Sequence, residues 1–141
     1  MNRNDLQILT DMRVREAEAL LAAGHYAGAF YIAGYAVECA LKSCIARQTK
    51  EHDFPPDPKF VREIYVHNLA ELLSKIGVEF KKNFDEERNR SARFESNWAV
   101  VKDWSEDSRY TVVVSESKAR ALLDAITDKV NGILPWLKKR W

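Results

Sequence analysis

The chain has 141 residues, 46% hydrophobic and 30% charged, which is enough for one ordinary core without disulfide or metal staples. Lys and Arg number 22 against 21 Asp and Glu, a net charge of +1, so a protein that grips nucleic acid by bulk charge is excluded and any such contact must be a local patch. No apolar run approaches the ~18 residues of a membrane span, and Met1 to Asp11 lacks the apolar core of a signal peptide.

The first helix is predicted from about Asn4 to Ala23. Leu6, Leu9, Arg13, Ala17 and Leu20 share a face, Asn4 is the expected cap, Asp5 suits the positive end of the dipole, and Gly24 ends the helix. The second helix carries the strongest pattern: Tyr26, Phe30, Ala33, Val37, Ala40 and Cys44 form a heptad-like seam, widened by Ala29, Ala36, Leu41 and Ile45. Gly28 and Gly34 keep its surface small, so that another helix can approach, and the helix is expected at the centre of the fold, ending near Gln48. Cys39 and Cys44 fall within this pattern as buried thiols. At i,i+5 they point about 140° apart, which argues against a disulfide and for a reducing, cytoplasmic setting.

Lys50 to Pro58 holds three prolines in four residues and reads as an exposed connection, with a short turn of helix after Pro58. Asn68 with Glu71 resembles a capping box for a helix whose apolar face is Leu69, Leu72, Leu73 and Ile76, stopped by Gly77. The charged run Glu79 to Arg93 reads as a solvated face, and Phe94, Trp98 and Val101 fit another helix face. Asp103 to Thr111 reads as a loop and Val112 to Val114 as extended chain. The last helix starts after Ser115, with Ala119, Leu122, Leu123, Ile126, Val130, Ile133 and Leu134 facing inward and Pro135 weakening its end. The basic, aromatic tail Lys138 to Trp141 reads as a frayed end. These elements predict one all-α domain over residues 1–141, an up-and-down bundle of four to five helices.

The run Arg13 to Tyr26, followed by Ala29-Phe30-Tyr31-Ile32-Ala33-Gly34-Tyr35-Ala36-Val37-Glu38-Cys39-Ala40-Leu41-Lys42, resembles the HEPN (higher eukaryotes and prokaryotes nucleotide-binding) family. The carriers are a first helix closing in a small-residue turn and Tyr, then a Tyr- and Ala-rich second helix ending Glu-x-x-Leu-Lys. His67-Asn68-Leu69-x-x-Leu72 and the segment from Trp104 to Arg109-Tyr110 are also similar to that family. The resemblance implies a HEPN-like bundle that dimerises through its long helices, here the second and the last. It also implies work beside a separate minimal nucleotidyltransferase in toxin–antitoxin or defence modules, because this chain is too short to carry one. Several family branches are metal-independent ribonucleases whose Arg-x4–6-His motifs meet at a dimer interface.

Two stretches match that spacing, Arg62 with His67 and Arg47 with His52. A His can move the ribose 2′-OH proton while an Arg stabilises phosphate charge. The motif generally lies in the C-terminal half, however, and this chain has no His after His67, which makes binding the preferred expectation. Glu38 and Lys42 form an i,i+4 pair on an apolar helix, and Glu38 is expected to meet Arg13 or Lys42 inside the bundle. Tyr31 and Tyr35 could stack a base or pack an interface, and Arg109 could bind phosphate or pair with an acid. The expected ligand-binding set is therefore Arg13, Tyr35, Glu38, Lys42 and Arg109, with Arg62 and His67 as the catalytic pair of the ribonuclease alternative. The scattered His residues argue against a metal site, and no cofactor motif is visible. A ligand-free dimeric scaffold is the third reading.

Overall fold

A computed structural model describes residues 1–49 and 57–141, which fold into eight α-helices and one 3₁₀ helix with no strand. In chain order these are α1 (Arg3–Ala22), α2 (Tyr26–Gln48), α3 (Pro58–Ile64), α4 (Leu69–Lys75), α5 (Val78–Arg90), α6 (Ala92–Lys102), the 3₁₀ helix (Glu106–Tyr110), α7 (Glu116–Thr127) and α8 (Ile133–Lys138). The all-helical expectation holds, but the count among described residues exceeds four to five. Two unexpected breaks, at Ser91 and at Asp128 to Gly132, account for part of the excess.

α1 begins earlier than expected. Asn2, not Asn4, is the cap: its side chain accepts from the Asp5 N–H, and Asp5 answers on the Asn2 N–H, a reciprocal box. Of the expected face Ala17 is fully buried, joined by Thr10 and Leu21 from the next row, while Leu6, Leu9, Arg13 and Leu20 are half-buried. Gly24 at φ +81° closes the helix, with His25 N–H donating to the Leu20 carbonyl (2.9 Å) and Gly24 N–H to that of Leu21 (3.1 Å). This turn folds α1 and α2 into a helical hairpin.

α2 spans the residues predicted for it and is the hub, packed against α1, α4, α7, α8 and the 3₁₀ helix. From Ala36 to Ile45 every residue except Lys42 is buried. Among the described residues it is the one helix long and apolar enough to cross a membrane, with mean hydropathy 1.3, contrary to the expectation that no segment qualifies. Ala is the commonest of its apolar residues, with Ile32, Val37, Leu41 and Ile45 spaced between small or polar ones, and 67% of that window is buried inside the fold, as befits a helix surrounded by others. Cys39 and Cys44 are free and buried.

The charged run after Gly77 is helical on both sides of a break at Ser91. The Ser91 hydroxyl caps α6 on the Phe94 N–H (3.1 Å) and meets the Asn131 side chain at 2.9 Å. Phe84 of α5 meets Phe94, Trp98 and Trp136 edge-on at centroid distances of 5.2, 4.9 and 5.2 Å, which anchors α5, α6 and α8 in one aromatic cluster.

The predicted last helix is two helices. The Asp128 carboxylate accepts from the N–H groups of Val130 (3.0 Å) and Asn131 (2.7 Å), turning the chain. A Cβ at Gly132 would lie 2.3 Å from the Asp128 carbonyl oxygen, so only glycine fits. Pro135 then sits in the first turn of α8, where its missing N–H costs nothing. Val130, expected inside, is 85% exposed at the turn. The tail is not frayed: Lys138 pairs with Asp11, and Arg140 lies 3.6 Å over the Trp136 ring.

Candidate functional site

Three segments converge beside the middle of α2. The first is α2 itself, whose stretch from Tyr31 to Lys42, about three turns, carries the polar residues. The second is the strand-like lead into α4. There Asn68 caps the helix by accepting from the Glu71 N–H at 2.9 Å, which fixes the backbone of His67 just before it. The third is the chain leaving α6. The N–H of Trp104 donates to the Val101 carbonyl at 3.1 Å, and Ser105 then caps the 3₁₀ helix on the Asp107 N–H at 3.2 Å.

Trp104 is 3% exposed and lies against the backbone of α2 at Gly34, where a Cβ would come within 2.2 Å of three indole atoms. The sequence pattern assigns Gly34 to a close helix–helix approach; the structure uses it to seat an indole. Trp104 stacks on Tyr31 (centroids 6.2 Å), Tyr31 on Tyr35 (6.4 Å), and the Arg13 guanidinium lies 6.0 Å over the Tyr35 ring. Burial, reinforced by Cys39 and Glu38, pushes the Tyr35 phenol above its ordinary value.

Glu38 is 2% exposed. One oxygen, Oε1, accepts from Lys42 Nζ at 2.9 Å and meets His67 Nδ1 at 3.0 Å. The expected Lys42 partnership is present. Arg13 instead pairs with Glu16, which holds the guanidinium above its ordinary range. The other ring nitrogen of His67, Nε2, meets Glu106 Oε2 at 3.1 Å, and Arg109 Nη1 lies 4.0 Å from that same oxygen. Both ring contacts are hydrogen bonds together only when both nitrogens carry protons. Glu38 Oε2 and Trp104 Nε1, an acceptor and a donor, are buried without a hydrogen-bond partner.

His67, 44% exposed, opens onto a cavity of about 360 Å³ whose walls include Tyr65, Asn68, Trp104, Ser105 and Glu106. An exposed imidazole oriented from behind by a buried carboxylate can hold an anion or move a proton. Of the two aromatic residues in its wall, Trp104 is buried and Tyr65, 77% exposed, offers a ring on which a flat group can stack. Among the described residues no group of three or more His, Cys, Asp or Glu is arranged to hold a metal ion.

The structure thus gathers Glu38, Lys42, His67 and Arg109, with Tyr35 and Arg13 at the far end of the aromatic stack. It does not bring Arg62 in. That side chain is exposed on α3 and makes no ion pair or hydrogen bond among the described residues. Arg47 donates to the Arg140 carbonyl at 3.0 Å on another face, and His52 lies outside the described residues. The basic run of α5 is neutralised locally: Lys81 and Arg88 bond Asp85, Arg88 also bonds Glu95, and Arg90 pairs with Glu87.

Glu106 and the lining role of Trp104 escape sequence reasoning. The one available signal was Ser105-Glu106-Asp107, a cap followed by acids, inside a stretch read as loop. The pairing of Glu38 with His67, 29 residues away, has no local signature. Comparison with known proteins gives no matching family model, no matching curated protein and no matching solved structure.

Proposed function

We propose that this chain is a HEPN-like binding module for nucleotides or RNA, acting as a homodimer beside a separate minimal nucleotidyltransferase in a toxin–antitoxin or defence setting. The observation that carries the reading is the cavity at His67. There an oriented imidazole and the exposed ring of Tyr65 line the wall, and the Arg109 guanidinium lies behind Glu106, 4.0 Å from the oxygen that meets His67. An imidazole N–H and a guanidinium suit a phosphate, and the exposed Tyr65 ring suits a base. The sequence resemblance supplies the family, the dimer and the partner.

The test is equilibrium binding of AMP and of a labelled mixed-sequence single-stranded RNA to wild type, His67→Ala and Arg109→Ala at fixed salt. Loss of one charge-assisted hydrogen bond is expected to weaken binding roughly tenfold in each variant. Equal affinity in all three proteins would remove the cavity from the account. Sedimentation of the chain alone and with a nucleotidyltransferase measures the dimer and the partner.

A metal-independent ribonuclease is the second reading, favoured by one geometric feature: the buried carboxylate of Glu38 behind the exposed ring of His67. In that reading His67 would serve as acid/base. Because Arg62 stands apart, Arg109 is the arginine nearer the reacting phosphate. Cleavage of single-stranded RNA in EDTA, with 2′,3′-cyclic phosphate ends that vanish in His67→Ala, would establish it.

A further inference from the structure

We propose that Glu106 is a built-in stand-in for a ligand phosphate: its carboxylate plugs an anion site formed by His67 Nε2 and Arg109, and a phosphate group displaces it. The inference rests on the reading of this cavity as a phosphate-binding site and adds how that site is gated.

The geometry is that of an occupied anion site. A single oxygen, Glu106 Oε2, lies 3.1 Å from the ring nitrogen and 4.0 Å from the guanidinium, at the wall of the open cavity. The second ring nitrogen is held by Glu38, which fixes the direction in which Nε2 points. Glu38 is 2% exposed and its Oε1 is shared by Lys42 and His67 Nδ1, so its carboxylate is not open to the cavity that His67 Nε2 faces.

The plug is also removable. Glu106 opens a five-residue 3₁₀ helix in which no residue is buried and the cap is a single serine hydroxyl. Its side chain is 31% exposed, and exposed ion pairs add little net stability, so exchanging one anion for another costs little. Arg109 makes no hydrogen bond to Glu106, its guanidinium lying instead 4.8 Å over the Tyr110 ring, so its fork of donors is not saturated by the carboxylate. A phosphate brings more charge and more acceptor oxygens than a carboxylate, and it can engage the ring N–H and the guanidinium at once.

The experiment titrates inorganic phosphate and AMP into the full chain at matched ionic strength, read by isothermal calorimetry. The variants are Glu106→Ala, Glu106→Gln, and Glu106→Ala combined with His67→Gln or with Arg109→Ala. Glu86→Ala, an exposed carboxylate on α5, controls for net charge. Removing the plug is expected to tighten phosphate and AMP binding roughly tenfold or more over wild type. Either second substitution should abolish that gain, and Glu86→Ala should show none. Unchanged affinity in Glu106→Ala, or a gain that persists in both double variants, overturns the proposal. If wild type and Glu106→Ala bind AMP equally and His67 is required, the plug falls while the binding site stands. If the gain appears for inorganic phosphate while AMP binds to neither protein, the plug stands and the nucleotide reading falls.

Discussion

Gly34→Ala adds one methyl group at the point where α2 supports Trp104. The new Cβ would lie 2.2 Å from three atoms of the indole, far inside contact distance. The backbone of α2 cannot retreat, because Ala33, 1% exposed, and Ala36 and Val37, fully buried, pack the helix around Gly34. The indole must therefore move. Overpacking of this kind costs about 1–3 kcal/mol. Full expulsion of a buried aromatic side chain would approach the ~3–5 kcal/mol of its deletion. Against this stands the helix-propensity gain of Ala over Gly, about 1 kcal/mol. The net expectation is a loss of about 2 kcal/mol, or roughly a 6 °C fall in Tm for a chain of this size. Urea and thermal unfolding followed by circular dichroism measure it. In a Trp104→Ala background the same substitution meets no indole and should be neutral or stabilising, so the double-mutant cycle isolates the contact. A Gly34→Ala protein more stable than wild type would refute the seating of Trp104 on α2, and the cavity wall with it.

Charge reversal at Glu38 leaves Lys42 facing another cation at a buried position, and Glu38→Lys is expected to cost about 3–5 kcal/mol. Glu38→Leu should cost less, since an apolar replacement also removes a desolvation penalty; equal Tm values for both variants and wild type would contradict the buried network. Burial pushes the Cys39 thiol up to about 11 and Cys44 to about 12, so both should resist iodoacetamide near pH 8 in the native protein and react after denaturation. Fast native labelling of either would contradict their packing. The Asp85 carboxyl is held below its usual range, chiefly by the hydrogen bond from Lys81 and further by Arg88. A depressed folded-state value stabilises above the unfolded value of about 3.9 and fades as pH falls through the folded one. Asp85→Asn should therefore lower stability at neutral pH and flatten its decline below about pH 4, as read by urea melts across that range.

Local signals in the chain were legible where one residue settles a boundary. Gly24, Asn68 and Ser115 act as punctuation whose partners lie within a few residues; Gly24 and Ser115 behave as expected, and Asn68 caps its helix through the Glu71 N–H without the return bond of a full capping box. The seam of α2 was legible because apolar periodicity reports burial directly. The break of the last helix was not, since Val130, Ile133 and Leu134 continue the spacing of α7 while Asp128 and Gly132 end it by hydrogen bonding and by steric exclusion. Periodicity counts side chains and does not see a turn that fits between two helical segments.

The candidate site divides along the same line. Glu38 with Lys42 was readable because i,i+4 is a helix neighbour relation. Arg13 was expected as a partner of Glu38, and the nearer acid Glu16 takes it instead. His67 was selected for its spacing from Arg62, whereas the structure ties it to Glu38 and Glu106, at separations of 29 and 39 residues. Such pairings follow from how helices pack, and no local pattern carries them. The same is true of Gly34, whose smallness was visible but whose occupant was not.

The most direct test of the cavity is an NMR titration of AMP, and then of short single-stranded RNA, into isotope-labelled protein, watching the Trp104 indole N–H and the ring of His67. Trp104 lines the cavity while its indole N–H is buried against α2 at Gly34 without a hydrogen-bond partner among the described residues, so the signal reports movement of the ring, and Trp104→Phe identifies it among the 4 Trp. Saturable shifts at both groups, lost in Arg109→Ala, are the expected result. A folded protein in which neither signal responds, or responds only alongside residues on other faces, would contradict the assignment of this cavity to nucleotide or RNA binding.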